Sequence, residues 1–262
     1  MVLLIRLLTT LMNSIKGDLK KMASNKIDMR IKKDVPQSLD EYSTFYGMTL
    51  DEEQKAFRDA IWSSDTDVVF CNARAGTGKT TISVGVADLL VKYGRYDGIV
   101  YIVSPTQEEK QGYLPGTQEQ KSAPYMEPLY QALETIGVSP NVSVIVDENP
   151  ESQKYGAYIQ CAAHTYMRGI NFENKVILID EMQNFTTNEA KKVLTRIKTS
   201  CKLIAIGHSG QCDLYRHPER SGFIPYLEHF KKHDRVAVCE LNTNHRGWIS
   251  TWADELEPTY TN

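Results

Sequence analysis

Residues Asp67 to Thr81, DVVFCNARAGTGKTT, constrain the fold more than any other stretch of the chain. Asp67-Val68-Val69-Phe70-Cys71 is a short apolar, β-branched run, bounded by Ser63-Ser64-Asp65 before it and Asn72 after, and predicts a buried strand. Ala73 to Thr80 breaks the pattern, and Ile82 to Tyr93 resumes at a helical period. Strand, glycine-rich loop, helix is the context in which a Walker A match reads as a phosphate site. Successive backbone N–H groups in the loop and the open N-terminus of the following helix form a concave anion site. Ala75, Gly76, Thr77, Gly78, Lys79, Thr80 and Thr81 are therefore the expected nucleotide-binding residues. Gly76 and Gly78 let the backbone adopt conformations that a Cβ blocks. Lys79 suits the β- and γ-phosphates, and the Thr80 hydroxyl suits Mg²⁺. Ala73 stands where the strict pattern has its first glycine. A generic loop would need a glycine or two, but no Lys-Thr pair.

Lys175-Val176-Ile177-Leu178-Ile179-Asp180-Glu181 is the second anchor: four consecutive apolar residues ending in adjacent acids, the Walker B form. A parallel strand covered on both faces reads as continuously apolar, and its carboxyl end delivers side chains to the ligand crevice of an open α/β sheet. Asp180 is the expected holder of Mg²⁺ through its water shell, and Glu181 the group that positions and polarises the attacking water. An apolar run plus Asp-Glu is common by itself. Placed about 100 residues after a phosphate loop, in an alternating strand–helix pattern, it gains weight.

The rest of the chain fits that alternation. Thr49, with Glu52 at capping-box spacing, opens an amphipathic helix whose apolar face includes Leu50, Phe57, Ile61 and Trp62. It leads into the loop strand and places Gln54 where nucleotide-dependent motors keep a glutamine that reads the adenine edge; a solvated helix residue is the plain alternative. Further strands are predicted at 98–104, 142–146, 157–161, 201–206 and 235–241, with a helix around 125–136. Thr186 and Glu189 form a second capping box, and Val193, Leu194 and Ile197 of that helix face inward. Gln211, in the loop after the strand at 201–206, is placed to sense the γ-phosphate or simply to be a polar loop residue. Trp248, Ile249 and Trp252 lie on a short helix after the last strand.

Composition decides less. The chain of 262 residues holds one large α/β domain or two small ones, and 41% hydrophobic with 24% charged residues is ordinary for a globular protein. A net charge of -3 does not advertise nucleic-acid binding, nor does it exclude a local basic patch. Five scattered cysteines without a C-x-x-C pair predict buried free thiols in a reducing, cytoplasmic setting. Residues 1–45 read as a basic extension ahead of a single domain over 46–262. Its first residues, MVLLIRLLTTLM, are interrupted by Arg6 and too short to span a bilayer, so no stable membrane insertion is expected. Residues 1–33 carry eight basic and two acidic side chains, and three readings stay open: a frayed extension, a membrane-surface helix or a nucleic-acid arm. Asn25-Lys26-Ile27-Asp28 matches a guanine-reading motif, but it precedes the phosphate loop with no strand before it and reads as chance.

With these residues placed, the chain resembles the PhoH family of P-loop ATPases, related to superfamily 1 helicase cores, over roughly Tyr46 to Leu256. Gln54, Ala75–Thr80, Gly112-Tyr113-Leu114-Pro115-Gly116 and the block from Pro124 to Tyr130 carry the resemblance. So do Tyr166-Met167-Arg168-Gly169, the block from Leu178 to Asn184, and Gln211-Cys212-Asp213-Leu214. Three positions depart from the family pattern: Ala73-Arg74 for Gly-Pro, Ser104 for an arginine, and His208 for an aspartate. The last bears on how Gln211 is oriented.

The resemblance implies a three-layer P-loop NTPase of RecA-like type, with a central mainly parallel sheet and helices on both faces. It also implies ATP and Mg²⁺ as ligands, single-stranded RNA or DNA as a partner, and a homo-oligomer, commonly a six-membered ring. A helicase or translocase subunit and a P-loop nucleoside kinase are the competing readings. The first usually works between two lobes, and the second lacks its paired cysteines here. A non-hydrolysing switch would be expected to lose Glu181. Because one lobe leaves the γ-phosphate side open, an arginine from a neighbouring subunit is expected there, with Arg246 the first candidate and Arg168 the second.

Overall fold

Runs that the sequence makes apolar throughout become the inner strands of one wholly parallel sheet. The computed structural model describes residues 34–41, 44–104, 118–146, 156–163, 171–212, 214 and 218–255. The N-terminal basic run, the block at 112–116 and Arg168 lie outside them. The strands are β1 (Val68–Ala73), β2 (Ile99–Val103), β3 (Ile159–Ala163), β4 (Val176–Ile179), β5 (Lys202–Gly207) and β6 (Val236–Leu241), in the order β3-β2-β4-β5-β1-β6. Every neighbouring pair is parallel. β2, β4 and β5 are buried along their whole length, as a sheet covered on both faces requires. β6, at one edge, is only half buried.

The helices that cover the sheet or extend beyond it are α1 (Glu52–Trp62), α2 (Lys79–Lys92), α3 (Gln118–Thr135), α4 (Thr187–Leu194), α5 (Phe223–Phe230) and α6 (Trp248–Asp254). Alternation along the strands divides the core in two. Val69, Cys71, Val176 and Leu178 join Phe57, Ile61, Leu90, Leu129 and Leu133, from the helices α1, α2 and α3. Phe70, Ile177 and Ile179 point the other way and join Phe185, Val193, Phe223 and Leu227. The three-layer α/β architecture expected from the sequence is the one observed. Among the described residues no helix is long and apolar enough to cross a membrane.

Two local expectations are corrected. Asp51, not Thr49, caps α1, and Gln54 rather than Glu52 closes the capping box. The aspartate carboxylate accepts from Gln54 N at 2.8 Å while the Gln54 amide oxygen accepts from Asp51 N at 3.1 Å. The run 142–146 is not a strand. Pro140, suited to a helix start, opens a single helical turn over Pro140–Ser143, and only Val144 bridges to Ile159. Ahead of α1, Leu39 and Phe45 are buried, and Pro36 O accepts from Trp62 Nε1. The Thr186–Glu189 capping box forms as expected.

Two buried charges tie helices to the sheet. Lys202, in β5, donates to Ile61 O and Ser63 O at 2.7 Å each, satisfying carbonyls at the C-terminal end of α1. Burial pushes its pKa down to about 7. Asp88, on α2, accepts from the hydroxyls of Tyr46 and Tyr158 and from Lys92 Nζ. It holds the N-terminal stretch and the β3 edge against the helix that begins at the glycine-rich loop.

Candidate functional site

Because all strands run the same way, the segments after β1, β4, β5 and β6 collect on one rim of the sheet. The first is the glycine-rich loop. Gly76 and Gly78 have φ of 73° and 79°, in the left-handed region that suits glycine. A Cβ at Gly76 would come within 2.6 Å of Asn244 Oδ1, so this glycine also makes room for the β6–α6 segment. Ala73 needs no such freedom. It ends β1, buried and in register with Leu241, which explains why the missing first glycine is tolerated.

The Walker elements meet directly. The Thr80 hydroxyl donates to Asp180 Oδ2 at 3.1 Å, joining residues 100 apart in the chain. Tyr101 donates its hydroxyl to the same oxygen at 2.6 Å, and Glu181 N donates to Asp180 Oδ1 at 2.9 Å. Asp180 is 1% exposed. Burial, then the neighbouring Glu181 charge, raises its pKa. A hydroxyl and a carboxylate are hard oxygen donors, and one carboxylate with phosphate oxygens and water is the usual protein share of a Mg²⁺ site, so the residues fit that ion.

Glu181 adopts φ 49° and ψ 45°, a left-handed conformation that costs a non-glycine residue about 1–2 kcal/mol. Its carboxylate lies 3.4 Å from Lys79 Nζ and accepts from Gln183 Nε2 at 2.5 Å. Gln183 Oε1 in turn accepts from His208 N at 3.0 Å. A Cβ on Gly207 would sit 2.7 Å from that oxygen, so the glycine ending β5 is what admits the glutamine. Gln183 thus links the β5 loop to the acid expected to handle water.

A cleft of about 670 Å³ gathers Gln54, residues 76–82, Glu181, His245 and Arg246, with Leu50 and Ala132 among its apolar walls. Gln54 is not solvated. It is 7% exposed and donates from Nε2 to Thr77 O at 2.9 Å, bracing the loop. Its amide keeps one hydrogen and one lone pair for a ligand. Arg246 lines its own chain's cleft, where a Cβ at Gly76 would meet Arg246 Cγ at 3.0 Å. Gln211 is outside the residues lining the cleft. Its side chain is exposed and donates to Asp254 Oδ1 at 3.0 Å.

Sequence reasoning overlooks two residues. Tyr101 is visible as a hydroxyl within a wholly apolar strand, and a buried hydroxyl calls for a partner. Gln183 is visible as a polar residue beside the paired acids, buried between Met182 and Phe185. The five cysteines are free, and Cys71 and Cys201 are buried.

A protein-family model described as PhoH-like protein matches residues 48–247. The PhoH-like protein of Synechocystis sp. is 35% identical over 178 residues, covering 67% of this chain and 51% of its own length. Protein PhoH of Escherichia coli is 34% identical over 192 residues, covering 72% and 51%. The chain therefore spans about half the length of these curated relatives. Among solved structures, the HK97 bacteriophage large terminase aligns over 74% of this chain and 39% of its own, at 13% identity and a TM-score of 0.46, a likeness too loose to carry an argument.

Proposed function

The chain belongs to the PhoH-like protein family, and from that premise we propose that it is a Mg²⁺-dependent ATPase. The observation carrying the reading is the meeting of Thr80 with Asp180, beside a left-handed Glu181 paired with Lys79. In hydrolysis a water oxygen bonds to the γ-phosphorus as the bond to the β,γ-bridging oxygen breaks, leaving ADP and phosphate. Mg²⁺ held by Thr80 and Asp180 would neutralise charge on the β- and γ-oxygens. The loop amides and Lys79 hold the phosphates, while Glu181, steadied by Gln183, orients the water and takes up its proton. Arg246 supplies positive charge from the far side of the cleft.

Self-association and action on single-stranded RNA or DNA complete the reading, supported by family membership. The setting we assign is the cytoplasm, where free cysteines stay reduced.

Steady-state ATP hydrolysis with and without Mg²⁺, on the full chain, tests the reading; no turnover in any condition removes it. Lys79→Ala should weaken nucleotide binding roughly ten- to hundredfold, the worth of charge-assisted bonds to phosphate. Isothermal titration with a non-hydrolysable ATP analogue checks this, and unchanged affinity would detach Lys79 from the phosphates. Gln54 should favour ATP over GTP through the donor and acceptor it has left. Gln54→Ala should cut that preference about tenfold. A preference that survives the substitution assigns base reading elsewhere.

A further inference from the structure

Trp248, Ile249 and Trp252 are 77%, 68% and 74% exposed, although the helix carrying them is held at both ends. At its start Asn244 Nδ2 donates to Ser250 Oγ at 2.8 Å, and His245 N donates to Gly76 O at 2.9 Å. At its end Asp254 accepts from Gln211 and lies 4.0 Å from His208 Nδ1. The two indoles and the isoleucine leave on the order of 400 Å² of apolar surface in water, large for an anchored helix of a monomer. The segment 248–255 contains no lysine or arginine and ends in Asp254 and Glu255. It therefore lacks the cations on which nucleic-acid affinity depends.

A complementary surface lies on the opposite rim. A groove of about 540 Å³ opens where β1, β5 and β6 begin, at Val68, Leu203 and Val236. Leu194, Ile197, Leu203 and Phe230 wall it, and Lys198, Lys232 and Arg235 line it; Arg235 pairs with Asp67 and Lys198 with Glu173, so the charge the groove offers a visitor is chiefly that of Lys232. β6 runs from this groove toward α6, so groove and helix occupy opposite ends of one strand, about 20 Å apart.

We propose that Trp248, Ile249 and Trp252 of one copy of this chain seat in the groove beneath β1, β5 and β6 of the next copy, with Glu255 toward Lys232. The proposal rests on the self-association reading and names the two surfaces responsible. Apolar surface meets apolar surface, and an acidic edge meets a basic one. Since the surfaces differ and lie at opposite ends, the contact is heterologous and repeats from copy to copy, closing into a ring or growing. Seating α6 also steadies the nucleotide site. Its start carries the residues that touch Gly76, and its end holds the β5 loop that Gln183 links to Glu181.

Sedimentation of the full chain without nucleotide, at tens of micromolar, tests this. The wild type should have a mass that is a multiple of 29.7 kDa. W248A/W252A, altered at exposed positions, should sediment as one chain, and so should the groove variant K198E/K232E. An equal mixture of the two should give a dimer and nothing larger, because only one intact helix and one intact groove are available to each pair. A monomeric wild type overturns the proposal together with the self-association reading. Wild-type assembly that survives both variants overturns the proposal alone. A groove variant that still assembles while W248A/W252A does not overturns it in favour of a helix-to-helix contact, and a mixture that stays monomeric overturns it outright. Loss of fluorescent single-stranded DNA binding in W248A/W252A, at unchanged mass, overturns it in favour of a nucleic-acid surface.

Discussion

Replacing Glu181 by glutamine is expected to leave ATP binding within a few-fold of wild type and to cut turnover by about two orders of magnitude or more. The amide has the size and shape of the carboxylate, so the left-handed backbone and the contact with Gln183 can persist. The charge disappears. A neutral amide neither polarises water nor accepts its proton, whereas phosphate binding needs neither service. Removing the carboxylate also frees Lys79, 3.4 Å away, from competing attraction, so affinity for the triphosphate should not fall. Single-turnover hydrolysis beside a direct binding titration separates the two effects. Turnover near the wild-type rate in Glu181→Gln would dismiss this residue from the chemistry.

Much of this site is legible in the sequence because its parts are local. A buried parallel strand announces itself as Val176-Ile177-Leu178-Ile179, and the residues just past the carboxyl end of such a strand belong to the ligand rim. The sequence therefore places Lys79 and Thr80 beside Asp180, and Thr80 does bond Asp180. The supports of those residues are not legible, because they depend on which strands become neighbours. Tyr101 reaches Asp180 only because β2 lies next to β4, and Gln183 reaches His208 N only because β5 lies on the other side of β4. The Thr49 cap fails for a smaller reason. Two capping boxes overlap in Thr49-Leu50-Asp51-Glu52-Glu53-Gln54, and the one beginning at Asp51 also lets Gln54 hold Thr77 O. The exposed Trp248 and Trp252 illustrate a further limit, since a spacing that predicts an apolar helix face does not say whether the same chain covers it.

Arg246→Ala should lower turnover by roughly 10³-fold or more while leaving ATP affinity largely intact, the signature of an arginine that meets charge developing in the transition state. From sequence alone a neighbour's site is the expected place for it. In the structure its backbone N donates to Asn244 Oδ1, and the next residue back, His245, donates its N–H to Gly76 O. The arginine is thus indexed to its own phosphate loop and lines its own cleft. Mixing Arg246→Ala with Glu181→Gln subunits distinguishes the two arrangements. If both residues serve one subunit's site, every mixed site keeps a defect and no activity returns, which is the outcome expected here. Partial recovery would show that the arginine crosses an interface. Assembly still matters to this residue in the expected arrangement. Arg246 stands two residues before Trp248, so seating α6 in a neighbouring groove would hold the arginine over its own site without lending it to another. W248A/W252A should then lose turnover, through its effect on Arg246, at unchanged ATP affinity. Full turnover in that double variant would separate the helix from the chemistry while leaving Arg246 in place.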